Sequence, residues 1–199
     1  MPKIVDHEQR RAELVEALWR VIATGGMEAV TIRSVAAQAG WSRGIVEHYF
    51  RDRDELVLHA VRLACAQALS QVGRHHRELV GREALRTVLL HDMALYGPRR
   101  QGARIWFGLI SAAVGSPAVA AEMVRYDQSA SAVLAEIIEE MIARGEAAST
   151  LDPRAEAGRL LAFNLALNLN TMLRPRRYTD KAVEAEVDDL LLRLKGGCA

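Results

Sequence analysis

Residues 31–53 read TIRSVAAQAGWSRGIVEHYFRDR. Two short helices joined by a tight turn can be read from this stretch. Ile32, Val35, Ala36 and Ala39 recur at i, i+3, i+4 and i+7, the spacing of one buried helix stripe. Thr31 stands at the N-cap, where its hydroxyl can accept from a free first-turn N–H. Gly40 follows the last periodic residue, where a left-handed backbone is tolerated without a Cβ clash. Ser42 is placed to cap a second helix that carries Arg43, Gly44, Glu47 and His48 on its polar side. Ile45, Val46 and Phe50 are expected to supply its apolar contacts. Asp52 opens the next helix, with Glu55 in the reciprocal position of a capping box. Helix, glycine turn and a short helix with outward polar side chains form a helix-turn-helix pattern.

The run Thr31-x-Arg33-x-x-Ala36-x-x-Ala39-Gly40-x-Ser42-x-Gly44-x-x-x-His48-Tyr49-Phe50-x-x-Arg53-x-x-Leu56 resembles the DNA-binding signature of TetR-type transcriptional regulators. The wording GIVEHYFRDR is similar to the BetI-like branch, choline-responsive repressors among them. The detailed likeness covers about the first quarter of the chain, and the rest agrees in length and helical character. The resemblance implies that Arg33, Arg43, Gly44, Glu47 and His48 face bases, while Thr31, Ser42, Tyr49 and Arg53 hold phosphates. That division is physically sensible. Base edges in the major groove carry a readable donor and acceptor pattern, and hydroxyls and lone cations suit phosphate.

One position departs from the family pattern. Glu47 stands where many relatives carry Tyr. A carboxylate in the groove repels phosphate and accepts only from cytosine N4 or adenine N6. Either the operator is more selective, or Glu47 pairs with Arg43 one turn away and orients it.

A chain of 199 residues, half hydrophobic and 26% charged, fits a soluble globular protein able to bury a real core. Its net charge is +1, so the molecule as a whole is no polycation. Residues 1–55 carry eight Lys or Arg against nine Asp or Glu, so composition alone does not point to DNA. The reading rests on where individual arginines project. Cys65 and Cys198 make no disulfide framework and suit a reducing cytoplasm. MPKIVDHEQRR lacks the apolar segment of a signal peptide. The most apolar run, Leu160 to Leu173, is broken by Asn164, Asn168 and Asn170 and falls short of the ~20 residues of a membrane span. A cytoplasmic protein with no membrane association is expected.

Glycines and prolines punctuate the remainder into helices. Residues 8–24 form the first, with Leu14, Leu18, Val21 and Ile22 as its buried stripe. A long helix from Asp52 fades near Gly73 or Gly81. Further helices run from Arg82 to Tyr96, Arg99 to Val114, Pro117 to Arg144, Pro153 to Leu173, and Thr179 or Asp180 to Leu194. The expected fold is all-α with about nine helices. Residues 1–55 form a helix-turn-helix DNA-binding domain, and residues 56–199 a helical regulatory and dimerisation domain.

One such module makes too few contacts for specificity, so a symmetric homodimer on a palindromic double-stranded operator is expected. Leu161, Leu165, Leu169 and Met172 line one face of the eighth helix, and Val187, Leu190, Leu191 and Leu194 one face of the ninth. These faces are either dimer contact, which the resemblance also implies, or core of their own subunit. For a small-molecule effector, Asp92 lies in an apolar stripe with Leu85, Val88, Leu89, Met93 and Tyr96. A buried carboxylate needs a partner. That partner is an arginine (Arg104, Arg125 or Arg159) or a cationic ligand also held by Tyr96, Trp106 or Phe107, unless Asp92 is a helix-edge residue in water. Asn164 and Asn168 are either pocket lining or interface hydrogen-bonders. The resemblance to BetI-like proteins suggests a quaternary ammonium.

Catalysis has little support. His75, His76 and His91 are not at metal-ligand spacing with each other or with a cysteine, no phosphate loop appears, and no cofactor is expected. Arg74 to Arg77 and Arg99-Arg100 read as solvated charges. The sequence therefore points to a ligand-released dimeric repressor. The alternative is a helical small-molecule or protein-binding module whose DNA-binding domain is vestigial.

Overall fold

The computed structural model describes residues 7–91 and 98–196. Within them lie nine α-helices and no strand: α1 His7–Gly25, α2 Ile32–Ala39, α3 Arg43–Tyr49, α4 Arg53–Glu78, α5 Gly81–His91, α6 Pro98–Gly115, α7 Pro117–Ala143, α8 Pro153–Leu173 and α9 Asp180–Gly196. A 3-10 turn, Met27–Ala29, separates α1 from α2. The all-α reading of the sequence holds. The helix starts follow local chemistry: Asp152 Oδ1 accepts from the N–H groups of Arg154 and Ala155, and Pro153 occupies the first position of α8.

Packing divides the chain into two compact units, Met1–Cys65 with Arg104–Met123, and Ala66–Ala103 with Val124–Ala199. In the first unit, Leu14, Leu18 and Ile22 of α1 are nearly inaccessible, as are Val35 of α2, Val46 of α3, Phe50, and Leu56, Ala60 and Val61 of α4. Each fully buried large apolar side chain contributes roughly 1.5–3 kcal/mol relative to exposure. That burial holds the short α2 and α3 at fixed angles, which neither could keep alone. The later segment joins this unit through α1. Arg104 Nη1 donates to the Ala23 carbonyl at 3.2 Å, among the carbonyls that the end of α1 leaves open. Gly108 lies against Ile22, where an added Cβ would come within 2.5 Å of Ile22 Cγ2.

In the second unit, Val72 of α4, Leu85 and Leu89 of α5, Leu134, Ile137, Ile138 and Met141 of α7, Leu160 and Leu167 of α8, and Val187, Leu191 and Leu194 of α9 form one core. The α5 N-terminus is capped from a distance. Glu140 Oε2 accepts from Gly81 N–H at 3.1 Å, and Glu146 Oε2 from Arg82 N–H at 2.7 Å. Carboxylates suit this end of a helix dipole. Arg86 grips Asp188 of α9 with two hydrogen bonds, 2.6 and 3.1 Å, a fork geometry specific to guanidinium.

One sequence expectation changes here. His75 and His76 are only partly solvated. Both are half-buried within the last turns of α4, where the His75 ring lies 4.7 Å from that of His91 and His76 Nε2 lies 3.7 Å from Glu136. Of the two ends the sequence offered for this helix, the later one is observed: α4 runs through Gly73 and stops at Glu78, shortly before Gly81, despite the ~1 kcal/mol a helical glycine costs. By length and composition alone α4 is apolar enough to cross a membrane, but Leu56, Val57, Ala60 and Val61 are packed inside the first unit.

Candidate nucleic-acid interface

The α2–turn–α3 element is closed by backbone chemistry at each joint. Thr31 Oγ1 accepts from Ser34 N–H and Ser34 Oγ accepts from Thr31 N–H, both at 2.9 Å. This is a reciprocal capping box with Ser in the position usually held by Glu or Gln. At the other end Gly40 has φ 73°, ψ 26°, and Trp41 N–H reaches the Ala36 carbonyl at 2.9 Å. A left-handed residue at this bond turns the chain sharply enough to start α3 three residues later, at Arg43. Ser42 precedes α3 with an extended backbone, but its side chain makes no cap hydrogen bond. The expected Ser42 cap is therefore absent, and the exposed hydroxyl is left for another partner.

After α3 the chain is recapped at once. Asp52 Oδ1 accepts from Glu55 N–H, and Glu55 Oε2 accepts from Arg51 N–H, both at 2.8 Å. The return bond thus falls one residue earlier than in a standard box, on Arg51 and not Asp52. The Glu55 N–H and the Arg51 guanidinium hold the Asp52 carboxyl below the usual carboxylate range.

Within α3 only Val46 is buried. Arg43, Gly44, Ile45, Glu47 and His48 are exposed and Tyr49 is half-exposed. Arg43 Nε donates to Glu47 Oε1 at 2.6 Å, so the pair that the sequence offered as one of two readings is formed. A Cβ on Gly44 would meet nothing within 4 Å, so no neighbour in the chain calls for glycine there. Ile45 departs from expectation. It faces outward, 44% exposed, while Val46 and Phe50 carry the packing. A seven-residue helix resting on one face has room for just one interior stripe, and Ile45 falls outside it.

Aromatic contacts brace the far end of α3. The Tyr49 ring lies 5.3 Å from His48, edge-on, 6.2 Å from Trp41 and 5.6 Å from His7 at the start of α1. Arg10 sits over Trp41 at 5.0 Å, a cation–π distance. Arg53 has a structural task that its motif position does not reveal. Its Nε donates to the Val30 carbonyl at 2.8 Å and its Nη2 to Met27 at 3.3 Å, tying α4 to the 3-10 turn. Arg33 is exposed on the first turn of α2.

The other candidate residues disperse. Trp106 and Phe107 are half-buried in α6, within the first unit. Asn164 Nδ2 donates to the Leu89 carbonyl at 2.9 Å, closing an open carbonyl near the end of α5, and Asn168 is buried. Both belong to the second unit. Asp92 and Tyr96 lie outside the described residues. On α8, Leu161 and Met172 are half-buried, while Leu165 and Leu169 are exposed by 43% and 40%. Leu173 continues that stripe outward at 69%. The α9 face is different: Val187, Leu191 and Leu194 are core of their own subunit and Leu190 packs against it. Core and interface stripes share one periodicity, so the sequence alone could not separate them. Burial pushes the Cys65 thiol up to about 11, which leaves it protonated and unreactive at neutral pH.

Comparison with known proteins agrees with this geometry. Residues 14–60 match the model of bacterial regulatory proteins of the tetR family, and residues 81–195 that of the C-terminal region of BetI-type transcriptional repressors. The chain belongs to the TetR family, with a BetI-type C-terminal region. Among relatives, the HTH-type transcriptional regulator PksA of Bacillus subtilis is 35% identical over 108 residues, 54% of this chain. That match spans 53% of the length of PksA, about half. A transcriptional regulator from Rhodococcus sp. Rha1 superposes with a TM-score of 0.84 at 24% identity, over 94% of this chain and 96% of its own. A transcriptional regulator from Saccharomonospora viridis, solved in complex with choline, has a TM-score of 0.84 at 18% identity, over 93% and 96% of the two chains.

Proposed function

We propose that this chain is a cytoplasmic, dimeric repressor that binds a palindromic operator through α3 and is released by a small-molecule effector. The observation that carries the reading is α3 itself, which buries Val46 alone and turns Arg43, Gly44, Glu47 and His48 outward. A short helix this exposed contributes little to its own fold, and the major groove accommodates one helix. Arg43 then meets guanine O6 and N7 with its free Nη groups, its Nε being held by Glu47. Thr31, Ser42 and Tyr49 flank the helix where phosphates would pass. Arg53 adds charge there while fastening the module. Residues 1–55 supply the reading head and residues 56–199 the regulation and pairing.

Two-fold pairing follows from specificity, since two modules about 34–36 Å apart read successive turns of one DNA face. The exposed Leu165, Leu169 and Leu173 stripe of α8 is the surface we assign to the partner. For the effector we favour a small organic cation. The support is the BetI-type C-terminal region, together with the choline bound by the similar Saccharomonospora viridis regulator. α4, α6 and α7 each contribute residues to both compact units, which gives an effector three continuous elements to act on. Any effector must bind the DNA-free form more tightly, or nothing shifts.

The test is selection of bound duplexes from a random pool with the full-length protein, followed by titration of choline and a metabolite panel against the bound complex. A palindrome whose affinity falls steeply with salt, and which an effector releases, is the expected result. Recovery of no preferred sequence would sink the reading in favour of a ligand-binding or protein-binding module.

A further inference from the structure

Ile45 is the one residue of the outward face of α3 that can neither donate nor accept a hydrogen bond, glycine aside. At about 100° per residue, Val46 and Phe50 point inward, while Ile45 and His48 fall on the opposite side. The exposures agree: Val46 0%, Phe50 1% and Ile45 44%. A single exposed aliphatic residue on an ordinary surface means nothing. Here it is continuous with the polar groups that the proposed function places against base edges. The Arg43–Glu47 pair occupies one flank of that face, Gly44 leaves its centre open, and Ile45 forms the other flank.

We propose that Ile45 reads the C5-methyl group of a thymine in each half-site, an inference that rests on the DNA-binding reading above. Among groups displayed in the major groove, the thymine methyl is the apolar one, and a branched aliphatic side chain is matched to it alone. The polar neighbours fix where α3 lies, and Ile45 then discriminates thymine from cytosine, whose ring carries hydrogen at that carbon. Burying one methyl between apolar surfaces corresponds to about four-fold in affinity.

The test uses the full-length protein on the operator selected from a random pool. Each thymidine is replaced in turn by deoxyuridine, which removes only the methyl group, and Kd is measured at fixed salt. One thymidine per half-site should cost about four-fold when replaced, and the others little. Ile45→Ala should bind the thymidine operator as weakly as the unaltered protein binds the deoxyuridine one, and should be indifferent to the replacement. A selected operator that tolerates every replacement overturns the thymine contact while leaving DNA binding intact. So does an Ile45→Ala protein that keeps the methyl sensitivity. If no sequence is selected at all, the DNA-binding reading fails and this contact fails with it.

Discussion

Arg43 Nε and Glu47 Oε1 meet at 2.6 Å, one turn apart on α3, with 72% and 41% of their side chains exposed. An ion pair this open contributes a few tenths of a kcal/mol to stability. Its consequence is orientation: with Nε held, Arg43 presents its two Nη groups in a restricted set of directions. Arg43→Ala should therefore leave the thermal midpoint almost unchanged, yet lower discrimination between operator and random DNA by about 1–3 kcal/mol. Glu47→Gln should strengthen binding to all duplexes by removing a negative charge, and should broaden base preference. Equal losses on specific and random DNA for Arg43→Ala would contradict base reading.

The apolar stripes of the two C-terminal helices differ in exposure, so the proposed pairing can be tested apart from folding. Leu165 and Leu169 on α8 are 43% and 40% exposed, whereas Val187 and Leu191 on α9 are fully buried. Leu165→Glu with Leu169→Glu should give a folded monomer by sedimentation with unchanged helical content. Leu191→Ala should instead cost about 2–5 kcal/mol in denaturant unfolding through the cavity it leaves. A dimer that survives the paired glutamates would move the interface elsewhere.

Replacing Gly81 is disfavoured on two counts. Its φ of +54° lies in the left-handed region, and an added Cβ would run into the Glu146 carboxylate that caps Arg82 N–H. Gly81→Ala should destabilise by about 1–3 kcal/mol. Shortening the capping side chain with Glu146→Ala removes the clash but also the cap, so the double variant should recover only part of the loss. Urea titrations of the four proteins measure that coupling.

Stability should decline in two stages on acidification. Burial, then the nearby Arg11, hold His59 below its ordinary value near 6.5, with Arg62 acting in the same sense and Glu8 and Glu55 opposing. Above that value both folded and unfolded forms are neutral. As pH falls below it the unfolded chain takes up the proton first, so stability is lost until the folded pKa is reached. The second stage comes from Asp52, Glu146 and Asp188, all lowered. Their leading causes are hydrogen bonds from Glu55 N–H, Arg82 N–H and the Arg86 side chain respectively. Stability that they contribute is present above their unfolded values near 4 and is lost as pH falls through their folded ones. His59→Gln should flatten the first stage and leave the second. Melting curves recorded from pH 7.5 to 2.5 separate them.

Most of what residues close in sequence determine was readable from the chain by itself, the unmade Ser42 cap and the shifted Glu55 return bond excepted. Helix order, the Thr31 cap, the Gly40 turn, the Asp52 start and the Pro153 opening depend on atoms within about five residues of each other, and the family motif lies in one unbroken run. Tertiary structure alone decided which apolar stripe was spent on what. Val187, Leu191 and Leu194 went to the core while Leu165 and Leu169 stayed outside, and Ile45 turned outward beside a buried Val46. The same is true of the distant polar ties: Arg53 to Val30, Asn164 to Leu89, and Glu140 and Glu146 to the start of α5. A 3.6-residue repeat reports that a helix has an apolar side, but what covers that side is set by segments tens of residues away.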